Sequence, residues 1–436
     1  MAPSNPLRDI EALGIVGAGG AGFPLARKLA ARVDTYIVNA AECEPLLHKD
    51  KEITRAFADE LFKGLRIGME ATGAREAIIG IKAKYEDVIQ VLRAKAPANA
   101  RFHLMGNYYP AGDEFILVYE ATGRVVQPGG LPLHVGCVVN NVETLINLGR
   151  MRPVTRKHLT VAGAVARPVT IEAPLGASLG EAVAAAGGAT VERWAMLVGG
   201  AMMGKLAEDP RAPITKTTGG IIVLPDDHVL ISRYRRSERQ IRRIAKSACD
   251  QCSFCTELCP RYLLGHPIEP HMAMRAEGFA GQQPRMVLGA QFCCECNLCT
   301  MMACPEDLDP KSICVMDKAF LLQQKVQRDS GAREVRPHPM FAHRRTPIER
   351  LKHKLGLGDY RDVGPLADRP LEPRRVVLLM RQHLGAPAKP AVAEGAKVRE
   401  GALIAKVPPG ASGAPIHASI AGKVVRVSAE EIVIER

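Results

Sequence analysis

Cysteine crowding constrains this chain more than any other feature: nine of its twelve cysteines fall between Cys249 and Cys304 of 436 residues. The first group reads Cys249-Asp250-Gln251-Cys252-Ser253-Phe254-Cys255-Thr256-Glu257-Leu258-Cys259-Pro260. The second reads Cys293-Cys294-Glu295-Cys296-Asn297-Leu298-Cys299-Thr300-Met301-Met302-Ala303-Cys304-Pro305. A disulfide scaffold spreads its cysteines through a short secreted chain, whereas a dense local set in a long chain favours thiolate ligation in a reducing compartment. Three cysteines at two-residue gaps wrap a loop around three irons of a cubane, and iron in such clusters takes soft, deprotonated sulfur. The fourth cysteine, immediately before proline, reaches across to the other cluster in two-cluster arrangements. The expectation is two 4Fe-4S clusters, one on Cys249, Cys252, Cys255 and Cys304, the other on Cys293, Cys296, Cys299 and Cys259. Four residues rather than three separate Cys299 from Cys304, which reads as a small bulge ahead of the cross-ligand. Zinc in two knuckles is the competing reading, but zinc usually takes two separated pairs, so tandem triplets closed by Cys-Pro favour iron-sulfur. Cys294 is spare by count and is expected beside a cluster, while Cys43, Cys137 and Cys314 read as small buried apolar residues.

The length suggests two to four domains. With 47% hydrophobic and 24% charged residues, a globular protein is the default. Aromatics make up only 4%, against 40 glycines and 31 prolines, a bias toward turns and short strands. No apolar run approaches the roughly 18 residues of a membrane-spanning helix, and Met1-Ala2-Pro3-Ser4-Asn5-Pro6 does not read as a secretory leader. A cytoplasmic protein without a transmembrane segment is therefore expected. The formal charge is +12, with basic runs at Arg233-Tyr234-Arg235-Arg236, Arg242-Arg243 and His343-Arg344-Arg345. Scarce aromatics and the lack of a nucleic-acid motif argue against a nucleic-acid partner.

At the front, Leu13-Gly14-Ile15-Val16 leads into Gly17-Ala18-Gly19-Gly20-Ala21-Gly22-Phe23-Pro24, with a helix expected through Leu25-Leu29. Glycines let backbone approach a ligand and aim N–H groups at anionic oxygens. The fit to a dinucleotide fingerprint is poor because Pro24 interrupts the run into the helix, so a phosphate-bearing ligand and a structural turn both stay open. Strands are expected at Thr35-Asn39, Ala77-Ile81 and Phe115-Tyr119, and helices over Glu52-Thr72 and Tyr85-Lys95, making this half α/β.

Several of these segments together resemble a known family. Gly17-Pro24, Asn39-Pro45, Tyr109-Pro110-Ala111-Gly112-Asp113-Glu114 and Asn140-Asn141-Val142-Glu143-Thr144 resemble the flavin-binding signatures of the NADH-binding subunit of respiratory complex I. Gly129-Gly130-Leu131-Pro132 with Val135-Gly136 is more similar to the C subunit of the Rnf electron-transport complex. Over nearly the whole chain, both cysteine groups included, the sequence resembles the cobalamin reductases of propanediol-utilising bacterial microcompartments. The resemblance implies FMN beside the glycine loop, NADH as electron donor, and release of single electrons through the clusters to an external acceptor, with cobalamin as the substrate reduced. Gly17, Gly19, Gly20 and Gly22 would cradle the flavin, Asn39 and Glu42 would contact it, and Asn140, Asn141 and Thr144 would line its phosphate or ribityl region. Glu44, Asp113 and Glu114 would serve the reacting nucleotide, with Asp113-Glu114 standing where the complex I relatives carry Glu-Glu. The implied partners are an electron-accepting protein or cobalamin, a cobalamin adenosyltransferase, or a microcompartment shell protein, and the implied location is inside such a compartment. No Asp-x-His-x-x-Gly cobalamin signature occurs. An Rnf C-like subunit of a membrane-associated complex and a non-catalytic electron carrier or docking protein remain the alternatives.

The expected fold is multidomain α/β and α+β. It comprises a Rossmann-like FMN/NADH-binding domain over residues 1–155, a β-grasp ligand-binding-like domain over 156–235 and a two-cluster ferredoxin-like helical domain over 236–330. A basic linker over 331–372, with one short helix near Ile348-Leu351, and a barrel-sandwich hybrid β domain over 373–436 complete it. The last module resembles lipoyl carriers, but neither Lys389 nor Lys423 is expected at a modified hairpin tip.

Overall fold

The computed structural model of the chain describes residues 6–279, 282–326 and 335–436. Residues 1–5 of the stretch read for a leader, and residues 331–334 at the start of the expected linker, lie outside the described residues. The first unit runs α1 (Pro6–Ala12), α2 (Leu25–Leu29), β1 (Thr35–Ala40), α3 (Lys49–Ala56), α4 (Ala58–Thr72), β2 (Glu76–Lys82), α5 (Glu86–Lys95), β3 (Ala100–Met105), β4 (Tyr108–Tyr109), α6 (Glu114–Thr122), β5 (Cys137–Asn141) and α7 (Val142–Arg150). Four strands pair in parallel in the order β3-β2-β1-β5. Parallel strands need crossovers, and the crossover helices cover both faces. Side-chain alternation divides the residues between two cores: Tyr36, Val38 and Ile79 pack with α4 and α7, while Ile37 and Ile78 pack with α6. Helices α4 and α7 meet backbone to backbone, for a Cβ at Gly149 would lie 2.0 Å from Glu60 O.

Two expectations fail here. Phe115-Tyr119 is not a strand but the middle of α6, because Asp113 caps the helix N-terminus through the Phe115 and Ile116 amides and left-handed Gly123 closes it. A five-residue apolar run carries no usable period, so the caps decide. The single helix expected over Glu52-Thr72 breaks at Phe57 (φ −123°, ψ 38°), which ends α3 and starts α4.

The second unit comprises β6 (Arg156–Gly163), β7 (Val169–Pro174), α8 (Leu179–Ala185), β8 (Trp194–Val198), β9 (Lys205–Ala207) and β10 (Gly220–Pro225). Its sheet runs β7-β6-β10-β8-β9, with β6 and β10 parallel and the other neighbours antiparallel. A helical module follows: α9 (Val229–Tyr234), α10 (Glu238–Ala248), α11 (Phe254–Glu257), α12 (Pro260–Leu263), α13 (Pro270–Phe279), α14 (Pro284–Val287) and α15 (Pro310–Gln323). Several of its basic residues are paired: Arg233 with Asp307, Arg235 with Glu208 and Asp226 of the preceding unit, and Arg242 with Glu238 and Glu277.

The described part of the expected linker is a packed strap. Its β11 (Thr346–Pro347) pairs with β4, and α16 (Ile348–Lys354) buries Ile348 and Leu351. Asp362 then bridges His48 and Lys352 at 2.9 and 2.7 Å. The Arg, Pro and His content hides a Leu351, Leu355, Leu357 stripe that joins the core under the second unit.

The chain ends in β12 (Arg375–Leu379), β13 (Lys389–Pro390), β14 (Lys397–Val398), β15 (Leu403–Lys406), β16 (Ile416–His417), β17 (Gly422–Val427) and β18 (Glu431–Glu435), arranged as sheets β12-β18-β17-β14 and β13-β15-β16. Lys389 and Lys423 lie within strands rather than at hairpin tips. Lys216 ties three units together: its buried Nζ donates to Gly14 O at 2.7 Å and Pro415 O at 2.8 Å. No helix among the described residues is long and apolar enough to cross a membrane.

Candidate functional site

The glycine loop is a small arch. Gly17 N donates to Phe23 O and Gly22 N to Gly17 O, while Gly20 (φ 112°) and Gly22 (φ 68°) take conformations that a side chain would strain. Two long-range bonds pin it: Ala18 N donates to Thr144 Oγ1 at 2.9 Å, and Lys157 Nζ to Ala18 O at 3.3 Å. Gly19, Gly20 and Ala21 stand exposed at its tip. A Cβ at Gly19 would lie 3.3 Å from the Asn141 side chain, so the arch leans on the carboxyl edge of the sheet. Consecutive exposed backbone N–H groups of this kind fit a phosphate.

The other candidate residues divide. Asn141 caps α7 through the Glu143 amide and donates to Asp50 Oδ2 at 2.7 Å, beside the arch. Asn39 donates to Gly112 O at 2.8 Å, holding the turn before Asp113. Glu42 lies at the same edge, where burial and then Asp50 push its carboxyl upward. Asn140 points the other way and donates to Tyr36 Oη within the core, since neighbouring strand residues face opposite sides. Glu44 is engaged on both oxygens, accepting from Met202 N and Met203 N at 2.9 Å each. Burial pushes it to about 8 against those amide bonds. Asp113 caps α6 and forms a two-point pair with Arg261 at 2.6 and 2.9 Å. Glu114 pairs with Lys28 at 3.1 Å. In this structure Glu44 and Asp113 hold units together, which their place in a motif does not reveal.

Beneath the arch lies a buried charge cluster that motif reading passed over. Glu143, fully buried, accepts from Lys49 at 3.1 Å, from Lys157, and from His158 N and Nδ1 at 2.8 and 3.1 Å. Burial opposes its ionisation, but Lys157, Lys49 and His158 together outweigh burial and hold the carboxyl well below its usual range. Burial pushes Lys157 down, to about 8, despite Glu143. Within the sequence only the adjacency of Glu143 to Asn141 and Thr144 hinted at it.

The cysteines form two sets. Cys249, Cys252, Cys255 and Cys304 line one cavity open to solvent with His271 and Met274, so the Cys-Pro thiol of the second group joins the first. Cys259 lies within electrostatic reach of Cys293 and Cys294, and Cys299 within reach of Cys293, Cys259 and, from the first set, Cys255. Burial pushes the Cys255 thiol up to about 12, so a ligating metal must displace its proton. The two loops share one backbone signature. Gln251 and Ser253 (φ 61° each) follow Cys249 at the offsets at which Glu295 (φ 61°) and Asn297 (φ 68°) follow Cys293. Non-glycine residues rarely accept this left-handed region, so its repetition marks a duplicated ligand loop. The extra residue before Cys304 is absorbed by one π-helical turn, Cys299–Ala303, closed by Cys304 N to Cys299 O at 3.2 Å. The four thiols of the first set surround one cavity, the arrangement that the ligands of a cubane require. Cys294 adjoins Cys296, and Cys314 adjoins Cys293.

Comparison with known proteins follows these divisions. Residues 10–150 match the Nuo51 FMN-binding domain, 159–206 the SLBB domain, 248–309 a 4Fe-4S dicluster domain, and 365–435 the RnfC barrel sandwich hybrid domain. An FMN-type domain joined to a dicluster module defines a flavin- and iron-sulfur-dependent oxidoreductase. The chain is 46% identical over 432 residues to the cobalamin reductase PduS of Salmonella typhimurium, spanning 98% of this chain and 95% of that protein. It is 45% identical over 434 residues to the cobalamin reductase PduS of Citrobacter freundii, with the same coverage. The chain belongs to the cobalamin reductase PduS family. A more distant relative is the C subunit of the Na(+)-translocating ferredoxin:NAD(+) oxidoreductase complex of Acetobacterium woodii, 31% identical over 281 residues, which span 60% of this chain and 61% of that protein.

Proposed function

We propose that the protein oxidises NADH at an FMN site on the glycine arch and delivers the electrons singly, through two 4Fe-4S clusters, to the cobalt of an oxidised corrinoid. Bound FMN and clusters would supply the conversion of a two-electron hydride donor into one-electron transfers, and the chain supplies position and electrostatics. The arch tip at Gly19 and Gly20 holds the phosphate, with Gly17 and Gly22 shaping the arch. Thr144 and Lys157 keep it in place, Asn39, Glu42 and Asn141 line the sheet edge, and Asn140 stiffens the strand from within. Glu44, Asp113 and Glu114 border the nucleotide approach, Glu44 and Asp113 while securing the neighbouring units and Glu114 while pairing with Lys28 of its own unit. Cys249, Cys252, Cys255 and Cys304 hold one cluster and Cys293, Cys296, Cys299 and Cys259 the other. The same reading places the chain in a bacterial microcompartment, passing reduced corrinoid to an adenosyltransferase.

The observation that carries this reading is the interleaving of two thiol sets with matching loop backbones, in one chain with a flavin-type sheet. Anaerobic reconstitution with iron and sulfide, followed by flavin analysis and EPR during NADH titration, tests it. The expected result is about eight irons per chain and a flavin that bleaches with NADH. Zinc in place of iron and acid-labile sulfide, or a bound flavin indifferent to NADH, would overturn it.

A further inference from the structure

The two thiol sets stand in different surroundings, and the difference is directional. The second set is built into the flavin-type unit. Tyr109, buried on β4, donates its hydroxyl to Cys296 O at 2.8 Å. Cys43, Leu46, Leu47 and Tyr109 share one apolar core with Cys294, Cys296, Leu298 and Met301. Arg261, two residues after Cys259, is clamped by Asp113. A further link runs through the β-grasp unit: Glu44 holds the Met202 and Met203 amides, and Asn297 Nδ2 donates to Met202 O at 3.0 Å.

The first set has none of these ties. Cys249 and Cys304 belong to another core, with Ile241, Ala245, Met274 and Ile313, which Cys293 alone of the second set also touches. The cavity these thiols line is walled only by residues of the helical module. It reaches solvent at Cys252, which is exposed, beside Phe254, which is 51% exposed. Electron transfer between buried centres falls steeply with separation, so a donor at the sheet edge is coupled to the set it touches, and an external acceptor to the set it can approach.

We infer that electrons enter at the Cys293, Cys296, Cys299, Cys259 set and leave through the Cys249, Cys252, Cys255, Cys304 set, with the acceptor approaching over Cys252. This rests on the function proposed above. Each NADH oxidised to NAD⁺ yields one proton to solvent and two electrons, and each electron leaving over Cys252 lowers one acceptor, such as cob(III)alamin, by one oxidation state. Tyr109 and Asp113 are positioning residues for the entry side.

The test uses full-length, anaerobically reconstituted Cys252→Ala and Cys296→Ala proteins, with hydroxocobalamin as acceptor and EPR as the second readout. Cys252→Ala is expected to keep about half the wild-type iron. Its remaining cluster should still show an NADH-generated EPR signal, while hydroxocobalamin reduction is lost. In Cys296→Ala, NADH should bleach the flavin but leave the remaining cluster oxidised, although dithionite reduces it. The opposite pattern, an NADH-reducible cluster in Cys296→Ala and none in Cys252→Ala, overturns the order. Should either variant fail to hold iron, wild-type protein partially stripped by a ferrous chelator serves instead. Alkylation mapping should then find Cys249, Cys252 and Cys255 freed first, with the retained cluster still reduced by NADH; loss of that reduction overturns the inference. Wild-type protein without iron would sink the proposed function itself, whereas a reversed order refutes this inference alone.

Discussion

Replacing Glu143 by glutamine should expose how far the glycine arch depends on the charge beneath it. Glutamine keeps the shape and can still accept from His158 N, but its amide group is a donor facing the Lys157 ammonium. Lys49 retains Asp50 at 2.7 Å, so Lys157, only 2% exposed at its side chain, becomes the orphan, with Ala18 O its one remaining acceptor among the described residues. Removing one member of a buried ion pair costs about 3–5 kcal/mol, and with a single orphan the lower part of that range, about 3–4 kcal/mol at pH 7, is expected. The orphan can escape by losing its proton. From an unfolded value near 10.4 that costs ~1.4 kcal/mol per pH unit, and because burial already holds wild-type Lys157 at about 8, any narrowing of the penalty with rising pH should end near that pH. Deleting the orphan as well, in Glu143→Gln/Lys157→Met, should return most of the loss, a coupling of roughly 2–3 kcal/mol. The single tryptophan, Trp194 on β8 of the sheet that holds Lys157, reports unfolding of this unit in urea. Flavin retention on gel filtration should fall in the single variant, because Lys157 pins Ala18. A Glu143→Gln protein within about 0.5 kcal/mol of wild type, the range of ordinary surface substitutions, or a double variant no more stable than the single one, would refute the reasoning.

Two further substitutions separate structural from nucleotide-binding roles. Asp113→Asn keeps the α6 cap, since asparagine caps as well as aspartate, but leaves Arg261 without its two-point partner, and the helical module should lose about 3 kcal/mol in urea unfolding. Unchanged stability with a raised KM for NADH would instead assign Asp113 to the nucleotide. Asp362 is held well below the usual carboxylate range by His48, against burial, with Lys352 assisting. Its folded value is depressed, so its contribution is present above about pH 4 and is lost as pH falls. The stability gap between wild type and Asp362→Asn should be widest near neutrality and narrow in acid, read as protease sensitivity of the strap; a gap that widened in acid would be the wrong sign.

The parts of this molecule that were legible from residue order are those where chemistry restricts the residue type. Soft thiolates suit a cubane, so spacing alone suggested grouping Cys304 with Cys249, Cys252 and Cys255, which line one cavity, and the surplus residue before Cys304 announced a local irregularity. The π turn that absorbs it depends on backbone bonding that spacing alone does not encode. Where chemistry is permissive, local reading failed. Lys49-Asp50-Lys51-Glu52 has the composition of an exposed helical turn, yet Lys49, Asp50 and Glu52 are buried; Lys49 meets Glu143 of α7 and Asp50 meets Asn141, both far along the chain, while Glu52 pairs with Lys51 and Arg55 nearby. Glu44 shows the limit most sharply. It occupies a motif position that the resemblance assigns to the nucleotide, and nothing near it in the chain argues otherwise. Whether its oxygens are free is decided by the Met202-Met203 turn, 158 residues away. A motif can therefore bring an acid to a site edge without stating which hydrogen bonds already claim it. Assigning Glu44 a role in hydride transfer requires those two amides to release it when nucleotide binds, a rearrangement that hydrogen exchange at Met202 and Met203 would detect.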